Sequence, residues 1–174
     1  MFLLGDEMKK YIKEIIPYIV IIVGVVLFRT YIATPVRVDG DSMKDTLYNN
    51  DILVLSKLTK KYDRFDVVVI NYKTTKLVKR IIGLPGENIK YDDNELYING
   101  KKIKDVETIR TIDFSLEETY GIKKIPQGEY FVMGDNRGNS LDSRDIRVGL
   151  IKEEDIVGIT TFRLFPFNRI GVVK

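Results

Sequence analysis

The sequence predicts a mainly β fold, in which an antiparallel β-sheet body follows a single N-terminal transmembrane helix. Three observations lead to this prediction. The run 15–28 contains no charged residue. After Pro35, short segments rich in β-branched and aromatic residues alternate with turn signals. No amphipathic helical pattern separates these segments, which argues against an alternating β–α layout.

The apolar run is predicted to be an uncleaved membrane anchor. As a helix, Ile15–Phe28 spans roughly 21 Å, which is less than the roughly 30 Å of a bilayer core, so a buried core helix and a cleaved leader are alternatives. Apolar residues occupy every face of the run, whereas a helix packed on a small domain keeps a polar side. Cleavage after Ala33 is disfavoured because Tyr31, two positions earlier, is not a small residue.

These features divide the chain into three parts. Residues 1–14 form a tail, residues 15–34 the anchor helix and residues 35–174 the β-rich domain, with an irregular excursion at 101–126. Lysines in the tail favour a cytoplasmic N-terminus, since Lys and Arg collect on that side of a membrane. We therefore expect a single-pass cell-membrane protein whose β-rich domain lies on the extracytoplasmic face.

The strands are predicted from seven segments that are separated by turns of Asn, Asp, Pro and Gly. They are Asp51–Leu58, Phe65–Tyr72, Leu77–Leu84, Glu87–Tyr91, Leu96–Asn99, Glu129–Met133 and Ile156–Arg163.

Composition limits the chemistry. The sequence has no His and no Cys, which excludes Ser-His-Asp triads, thiol nucleophiles, disulfides and the common zinc sites. Lys and Arg total 28 against 25 Asp and Glu, and a net charge of +3 is too small to predict a nucleic-acid partner. An enzyme of this composition must use Ser, Thr, Lys, Tyr, Asp or Glu, and we expect no metal and no cofactor.

Two clusters of polar residues are candidates for part of a site. The first, 36–47, holds Ser42 in a turn that is framed by Gly40 and acidic residues. Taken alone, such a serine is usually a turn residue. The second, 134–144, is dense in Gly, Asp, Asn, Arg and Ser. It is either a solvated loop or a network of charge-assisted hydrogen bonds.

A third cluster, 76–86, carries a lysine on a predicted strand. In period-2 alternation Lys79 shares one face with Leu77 and Ile81, while Arg80 lies on the other. From the pattern alone, Lys79 is either an edge lysine whose ammonium reaches solvent or a buried one.

In chain order, the three clusters resemble motifs of the bacterial type I signal peptidase family, membrane-anchored proteases that remove signal peptides from exported proteins. The nucleophile motif is Gly-Asp-Ser-Met-Lys-Asp-Thr-Leu, the lysine motif is Val-Lys-Arg-Ile-Ile-Gly-Leu-Pro-Gly-Glu and the third is Gly-Asp-Asn-Arg-Gly-Asn-Ser-Leu-Asp-Ser-Arg. The segment Phe65–Val69 resembles the family's strand between the first two motifs. The resemblance runs from the anchor to about Pro166, and the single short anchor is similar to that of Gram-positive members.

The resemblance implies a Ser-Lys protease. Ser42 would be the nucleophile and Lys79 the general base, and the Ser140 hydroxyl would orient the lysine amine. The Ser42 backbone N–H would form part of the oxyanion hole. Gly40 stands where some members carry a serine that completes this hole, so no second donor is identified.

The chemistry of the residues supports these roles. A serine hydroxyl needs a base to take its proton, and without His the only nitrogen base that can be neutral near pH 7 is a lysine with a lowered pKa. Burial lowers the pKa of a lysine because desolvation penalises the ammonium form. Leu77 and Ile81 offer Lys79 such a setting. Arg80 cannot be deprotonated and is a poor base.

The resemblance also implies supporting residues and partners. Pockets for the substrate residues at −1 and −3 would select small side chains, and the substrates would be signal peptides of secreted preproteins, cleaved at the lipid bilayer beside the export translocon. The −1 pocket would be lined by Val38, Gly40, Met43, Leu47 and Leu77, and the −3 pocket by Val69 and Val78. A structural ion-pair network would comprise Arg80, Asp135, Asp142 and Arg144.

One departure and two alternatives complete the prediction. Asp45 stands where the family usually has proline, which frees φ and adds an N–H, so we expect a less rigid turn and a divergent member. A self-cleaving repressor-type Ser-Lys protease is one alternative, but it would need a helix-turn-helix domain in place of the anchor. A catalytically weakened homologue that acts as a membrane-tethered binding protein is the other. The retention of Ser42, Lys79 and Ser140 argues against it.

Overall fold

The N-terminal helix comes first in the computed structural model, which describes residues 3–59, 61–106 and 111–173. This helix, α1 (Leu3–Tyr31), contains a stretch over Met8–Tyr31 that is long and apolar enough to cross a membrane and is not buried against the body. It begins before the predicted anchor because Glu, Met and Lys in the tail are good helix formers. It ends at Tyr31, and a strand follows at once.

The end of α1 is tied to the β body. The Lys57 ammonium donates to the carbonyls of Arg29 and Thr30 at 3.1 and 3.2 Å, and the Thr34 hydroxyl donates to the Arg29 carbonyl at 2.6 Å. These bonds satisfy carbonyls that the last helical turn leaves without partners, and a cation suits that end of a helix.

The larger sheet holds eight antiparallel strands in the order β1-β2-β11-β3-β4-β9-β10, with β12 paired to β11. Its strands are β1 (Ala33–Arg37), β2 (Ile52–Ser56), β3 (Val67–Tyr72), β4 (Thr75–Gly83), β9 (Glu129–Met133), β10 (Ile151–Lys152), β11 (Ile156–Phe165) and β12 (Gly171–Val172). Short 3₁₀ helices at 153–155 and 167–169 flank β11.

A smaller sheet is inserted between β4 and β9. Its order is β7-β6-β5-β8, and its strands are β5 (Ile89–Asp92), β6 (Glu95–Ile98), β7 (Lys101–Ile103) and β8 (Phe114–Ser115). The short helix α2 (Leu116–Tyr120) follows β8, with Ser115 as its N-cap and Gly121 in the left-handed conformation after its last turn.

The predicted fold class is confirmed, since the body is antiparallel β behind one apolar helix. All seven predicted strands are present, with ends shifted by up to a few residues. Residues 101–126, predicted to be irregular, contribute β7, β8 and α2, which are too short to give a periodic pattern; residues 107–110 lie outside the described ranges. Strand β1 was not predicted, because its first residues continue the apolar run of the anchor and were assigned to it.

One of three apolar core clusters lies under the candidate site. It joins the loop after β1 to strands β2, β3 and β4 and to the C-terminus. Its members are Val38, Met43, Leu47, Leu53, Val67 and Val173, with Val78 packed against them.

Candidate active site

Ser42 lies in the loop that joins β1 to β2. Its neighbour Met43 is buried, whereas Asp41 is exposed, so the turn presents Ser42 at the boundary between core and solvent. The Leu47 N–H donates to the Met43 carbonyl at 2.7 Å, and the Leu47 side chain is fully buried. The apolar side chains on either side of the exposed residues therefore anchor the loop.

A buried carboxylate fixes the far end of this loop. Asp51 accepts hydrogen bonds from the Tyr48 N–H at 3.0 Å and from the guanidinium groups of Arg163 and Arg169 at 3.0 and 2.8 Å. Arg163 also donates to the Thr46 carbonyl at 3.0 Å. Sequence reasoning missed this cluster because Arg163 and Arg169 lie more than a hundred residues away along the chain.

Asp45 adopts a backbone conformation that proline cannot. Its φ is 85°, in the left-handed region, whereas the proline ring holds φ near −65°. A chain with proline at position 45 could not adopt this conformation. The replacement of the family's usual proline by Asp45 therefore goes together with a change in the backbone after Ser42.

Lys79 is buried in the middle of β4, with 2% of its surface exposed. It pairs in register with Val68 on β3, and both Val68 and Ile81 on the same face are fully buried. Its ammonium donates to the Ser140 Oγ at 3.2 Å. Of the two interpretations of the sequence pattern, the buried lysine is the one observed.

The surroundings of Lys79 lower its pKa from 10.5 to about 8. Desolvation by burial is the largest cause, and the Arg144 charge acts in the same direction. Asp142 and Asp135 oppose both by favouring the ammonium form. A substantial fraction of this lysine is therefore neutral in mildly alkaline solution.

The loop 134–145, which follows β9, reaches both the Ser42 loop and Lys79. The Asn136 N–H donates to the Ser42 carbonyl at 3.0 Å, and its side-chain amide donates to the Asp41 carbonyl at 3.0 Å. A Cβ built on Gly134 would lie 2.3 Å from the Ser42 carbonyl oxygen and 2.2 Å from the Ser140 Oγ. Ser42 and Ser140 therefore meet across Gly134, where there is no room for a side chain.

The ion pairs that hold this loop include Arg80 with Asp135 and Arg144 with Asp142. Arg80 binds Asp135 through Nε–Oδ1 at 2.8 Å and Nη2–Oδ2 at 2.6 Å, and both residues are almost fully buried. Arg144 binds both carboxylate oxygens of Asp142 at 2.9 Å. Burial alone raises the pKa of Asp142, but the hydrogen bonds and charge of Arg144 outweigh it, so the net effect lowers this pKa. Bidentate pairs of this kind fix orientation as well as charge.

The residues named for the two substrate pockets are spread over both faces of β4. Val78 pairs with Val69 and packs on the cluster of Val38, Met43 and Leu47. Gly40 is exposed, with a positive φ of 92°. Leu77 pairs with Ile70, and by strand alternation it lies on the face opposite to Val78.

The edge of β4 is open next to Lys79. Strand β9 pairs with Arg80, Ile81 and Gly83, and among the described residues no strand pairs with 75–79 on that side. Unpaired backbone groups at a sheet edge can accept a further strand.

Arg137 is a further buried residue of the loop 134–145, and no role was predicted for it. It pairs with Asp105 and is 2% exposed. No signal in the sequence links the two, because Asp105 lies outside the three clusters. Within the described ranges, no group of His, Cys, Asp and Glu side chains is arranged to hold a metal ion.

Comparison with known proteins gives the family. The model of the family "Signal peptidase, peptidase S26" matches residues 8–165. The chain is 42% identical over 159 residues to signal peptidase I T of Bacillus subtilis (strain 168), covering 85% of this chain and 82% of that protein. It is 41% identical over 171 residues to signal peptidase I S of the same strain, covering 92% of each.

A solved structure is similar as well. The crystal structure of a signal peptidase I from Enterococcus faecalis V583 superposes with a TM-score of 0.52 at 36% sequence identity, covering 57% of this chain and 96% of that one. The matched family and these relatives extend over most of the chain and include all three site clusters. The chain therefore belongs to the signal peptidase family, peptidase S26, and is a peptidase of that class.

Proposed function

We propose that the chain is a membrane-anchored serine endopeptidase that cleaves signal peptides from exported preproteins with a Ser42–Lys79 dyad. The observation that carries this proposal is the burial of Lys79. Its amine is hydrogen-bonded to the Ser140 hydroxyl, and this hydroxyl and the Ser42 backbone carbonyl both lie close to Gly134. A lysine in this position can be neutral and can serve as a base, which a solvated lysine near pH 7 cannot.

The proposed reaction assigns one role to each of these residues. Neutral Lys79 takes the proton of the Ser42 hydroxyl while the oxygen attacks the carbonyl carbon of the scissile bond. The Ser42 N–H stabilises the oxyanion, and the Lys79 ammonium then gives its proton to the leaving amine. Lys79, neutral again, takes a proton from a water that attacks the acyl-enzyme, and it returns this proton to the Ser42 oxygen as the carboxyl product leaves. Ser140 positions the amine throughout, and the pairs of Arg80 with Asp135 and of Arg144 with Asp142 hold the loop that carries it.

The pH profile should report Lys79. Because its pKa is about 8, kcat/KM should rise roughly tenfold between pH 7 and pH 9 as the amine loses its proton. A peptide with Ala at −1 and −3 and no titratable group serves as substrate, and the buffers are matched in ionic strength. A flat profile across this interval would contradict the assignment of Lys79 as the base.

The substrate is proposed to bind as an extended strand along the open edge of β4, so that its −1 and −3 side chains point the same way. Apolar side chains such as Val78 and Leu47 fill the space on the protein side. Only small neutral residues then fit at these two positions, while the −2 residue points away.

Leu47→Ala should relax the selection at −1 toward larger residues, because it removes volume from the proposed pocket; the change is worth about 1–3 kcal/mol of discrimination. Leu53→Ala is the matched control, since Leu53 is a fully buried leucine of the same cluster but is not assigned to a pocket. A substrate library should show the shift in the first variant alone. Equal acceptance of Leu and Ala at −1 by the wild type would refute the pocket.

The localisation is also a proposal: α1 anchors the chain in the cell membrane by one pass, with the tail in the cytoplasm and the β body outside, beside the export translocon. The length and apolar surface of Met8–Tyr31 support the anchor. Alkaline phosphatase fused after residue 60 should be active in cells, and green fluorescent protein fused there should be dark. The opposite pattern would place the body in the cytoplasm.

The decisive experiment on function is cleavage of a purified preprotein by the detergent-solubilised chain, with the new N-terminus identified by mass spectrometry. Cleavage once, after a small residue that ends the signal peptide, is expected. Cleavage of the chain itself and not of the preprotein would favour the repressor-type alternative, and binding without turnover would favour the tethered binding protein.

A further inference from the structure

The smaller sheet carries no residue of the proposed dyad, yet residues in it and next to it contact the loop 134–145. Asp105, just after β7, binds Arg137 through both carboxylate oxygens, with Nη2–Oδ1 at 3.0 Å. Arg137 also donates to the Tyr91 hydroxyl at 2.9 Å and to the Thr111 hydroxyl at 3.4 Å. Tyr91 lies on β5, and Asp105 and Thr111 lie between β7 and β8, so groups of the smaller sheet and of its connection fix this end of the guanidinium.

Arg137 also contacts the candidate site, so the restraint on its guanidinium extends to that site. Its Nε donates to the Gly134 carbonyl at 3.1 Å, and Gly134 is where Ser42 and Ser140 meet. Its own carbonyl accepts from the Arg144 Nη1 at 2.8 Å. Arg137 therefore contacts both ends of the stretch that holds Ser140, Gly134 through its side chain and Arg144 through its main-chain carbonyl.

A second contact reaches the same loop independently. The hydroxyl of Tyr120, at the end of α2, donates to the Ser143 carbonyl at 2.6 Å. Ser143 lies between the two members of the Asp142–Arg144 pair. Tyr120 thus restrains the loop at Ser143, through a hydrogen bond that does not involve Arg137.

We propose that Asp105 and Tyr120 are positioning residues, through which the segments 101–106 and 111–126 hold the loop 134–145 and keep Ser140 against Lys79. This inference rests on the proposed function, because it concerns the geometry of the same dyad. It gives these two segments a role in the rate of the reaction, beyond a role in folding.

A positioning role differs from a purely structural one in its effect on Lys79. The charged groups that face this lysine are Asp135, Asp142 and Arg144, and Ser140 binds its amine. If the loop loosens, water reaches the amine, which raises the pKa of Lys79, and the loop's charges move away: losing Arg144 raises this pKa, whereas losing Asp142 and Asp135 lowers it. Because desolvation is the largest of these causes, the net shift is upward, and the acid limb of the pH profile moves to higher pH. Lost stability alone would lower Tm and leave this limb in place.

The test compares Asp105→Asn and Tyr120→Phe with matched controls from the same sheet. The controls are Glu95→Gln, which breaks an exposed ion pair with Lys102, and Tyr97→Phe on β6. Tyr120→Phe removes one hydrogen bond only, so it remains informative if Asp105→Asn folds poorly. The full chain is assayed in detergent, well below its Tm, on a fluorogenic peptide with Ala at −1 and −3.

We expect kcat to fall about tenfold to a hundredfold in Asp105→Asn and about threefold to tenfold in Tyr120→Phe, with KM little changed and the acid limb displaced upward in both. Amide hydrogen exchange of 134–145 should be faster in both variants and unchanged in the controls. If kcat, the acid limb of the pH profile and amide hydrogen exchange were all unchanged in the two variants, the proposed positioning role of Asp105 and Tyr120 would be overturned. An inactive wild type would instead overturn the proposed function. The hydrogen-exchange measurement would still show whether Asp105 and Tyr120 restrain the loop 134–145.

Discussion

Ser42→Ala should lower kcat/KM by about 10⁴-fold or more while the chain stays folded, because nucleophile and base act as one unit. Lys79→Met and Lys79→Arg should be as inactive as Ser42→Ala. Methionine keeps the apolar volume of the buried stem but has no basic atom, and a guanidinium cannot lose its proton to act as a base. The measurement is initial cleavage rate on an Ala-x-Ala peptide, with circular dichroism to verify folding.

Lys152→Ala is the matched control for this experiment. Lys152 is an exposed lysine on β10, outside the proposed substrate edge of β4, so its removal changes the charge of the sheet without touching the buried amine. We expect its rate to stay within about twofold of wild type, as is usual for surface substitutions away from a site. Substantial turnover by Lys79→Arg would show that another group is the base. Combining Ser42→Ala with Lys79→Met should cost little more than either change alone.

The residues of the proposed dyad could be predicted because each lies inside a local pattern. Ser42 sits in a Gly-Asp-Ser turn, Lys79 in an apolar strand and Ser140 in a dense polar loop. The pattern left the exposure of Lys79 open, since alternation gives the face of a strand but not what covers it. Burial came from the loop 134–145 packing over β4, which is a long-range contact.

The contacts behind the site could not be predicted for the same reason. Asp105 and Arg137 are 32 positions apart, and Arg163 and Asp51 are 112 apart. A single Asp or Arg in a polar segment does not indicate its partner. The conformation of Asp45 was also hidden, because a positive φ outside glycine follows from the loop's closure over Met43 and Leu47, not from residue type alone.

In the fold, the longer strands were predictable and the shortest elements were not. Strands such as β3 and β11 hold enough β-branched residues to be recognised. Strands β10 and β12 have two residues each and exist because neighbouring strands offer unpaired edges. The anchor helix was predicted to begin at residue 15, whereas α1 begins at Leu3. Charged residues with high helix propensity extend an apolar helix as readily as they end it.

Gly134→Ala should be strongly damaging to activity, because the added methyl has no space next to the proposed dyad. Its Cβ would lie 2.2 Å from the Ser140 Oγ and 2.3 Å from the Ser42 carbonyl oxygen. The serine hydroxyl can rotate away, but it then leaves the Lys79 amine, and the carbonyl belongs to the backbone and can move only with the loop. We expect a loss of about 1–3 kcal/mol in the free energy of unfolding from overpacking. Displacement of the reacting groups by about 1 Å should lower kcat about a hundredfold.

Gly138→Ala separates this effect from the general cost of losing a glycine in the same loop. A Cβ at Gly138 meets no atom within 4 Å, and neither Gly134 nor Gly138 has φ in the left-handed region, so backbone strain does not distinguish the two. Gly138→Ala should therefore keep near wild-type kcat and Tm. Rates measured well below the Tm of each variant, together with urea unfolding, separate misplacement from instability. If Gly134→Ala kept wild-type kcat, Ser42 and Ser140 would not need the close approach seen at Gly134, and the proposed placement of the dyad against the loop 134–145 would be wrong.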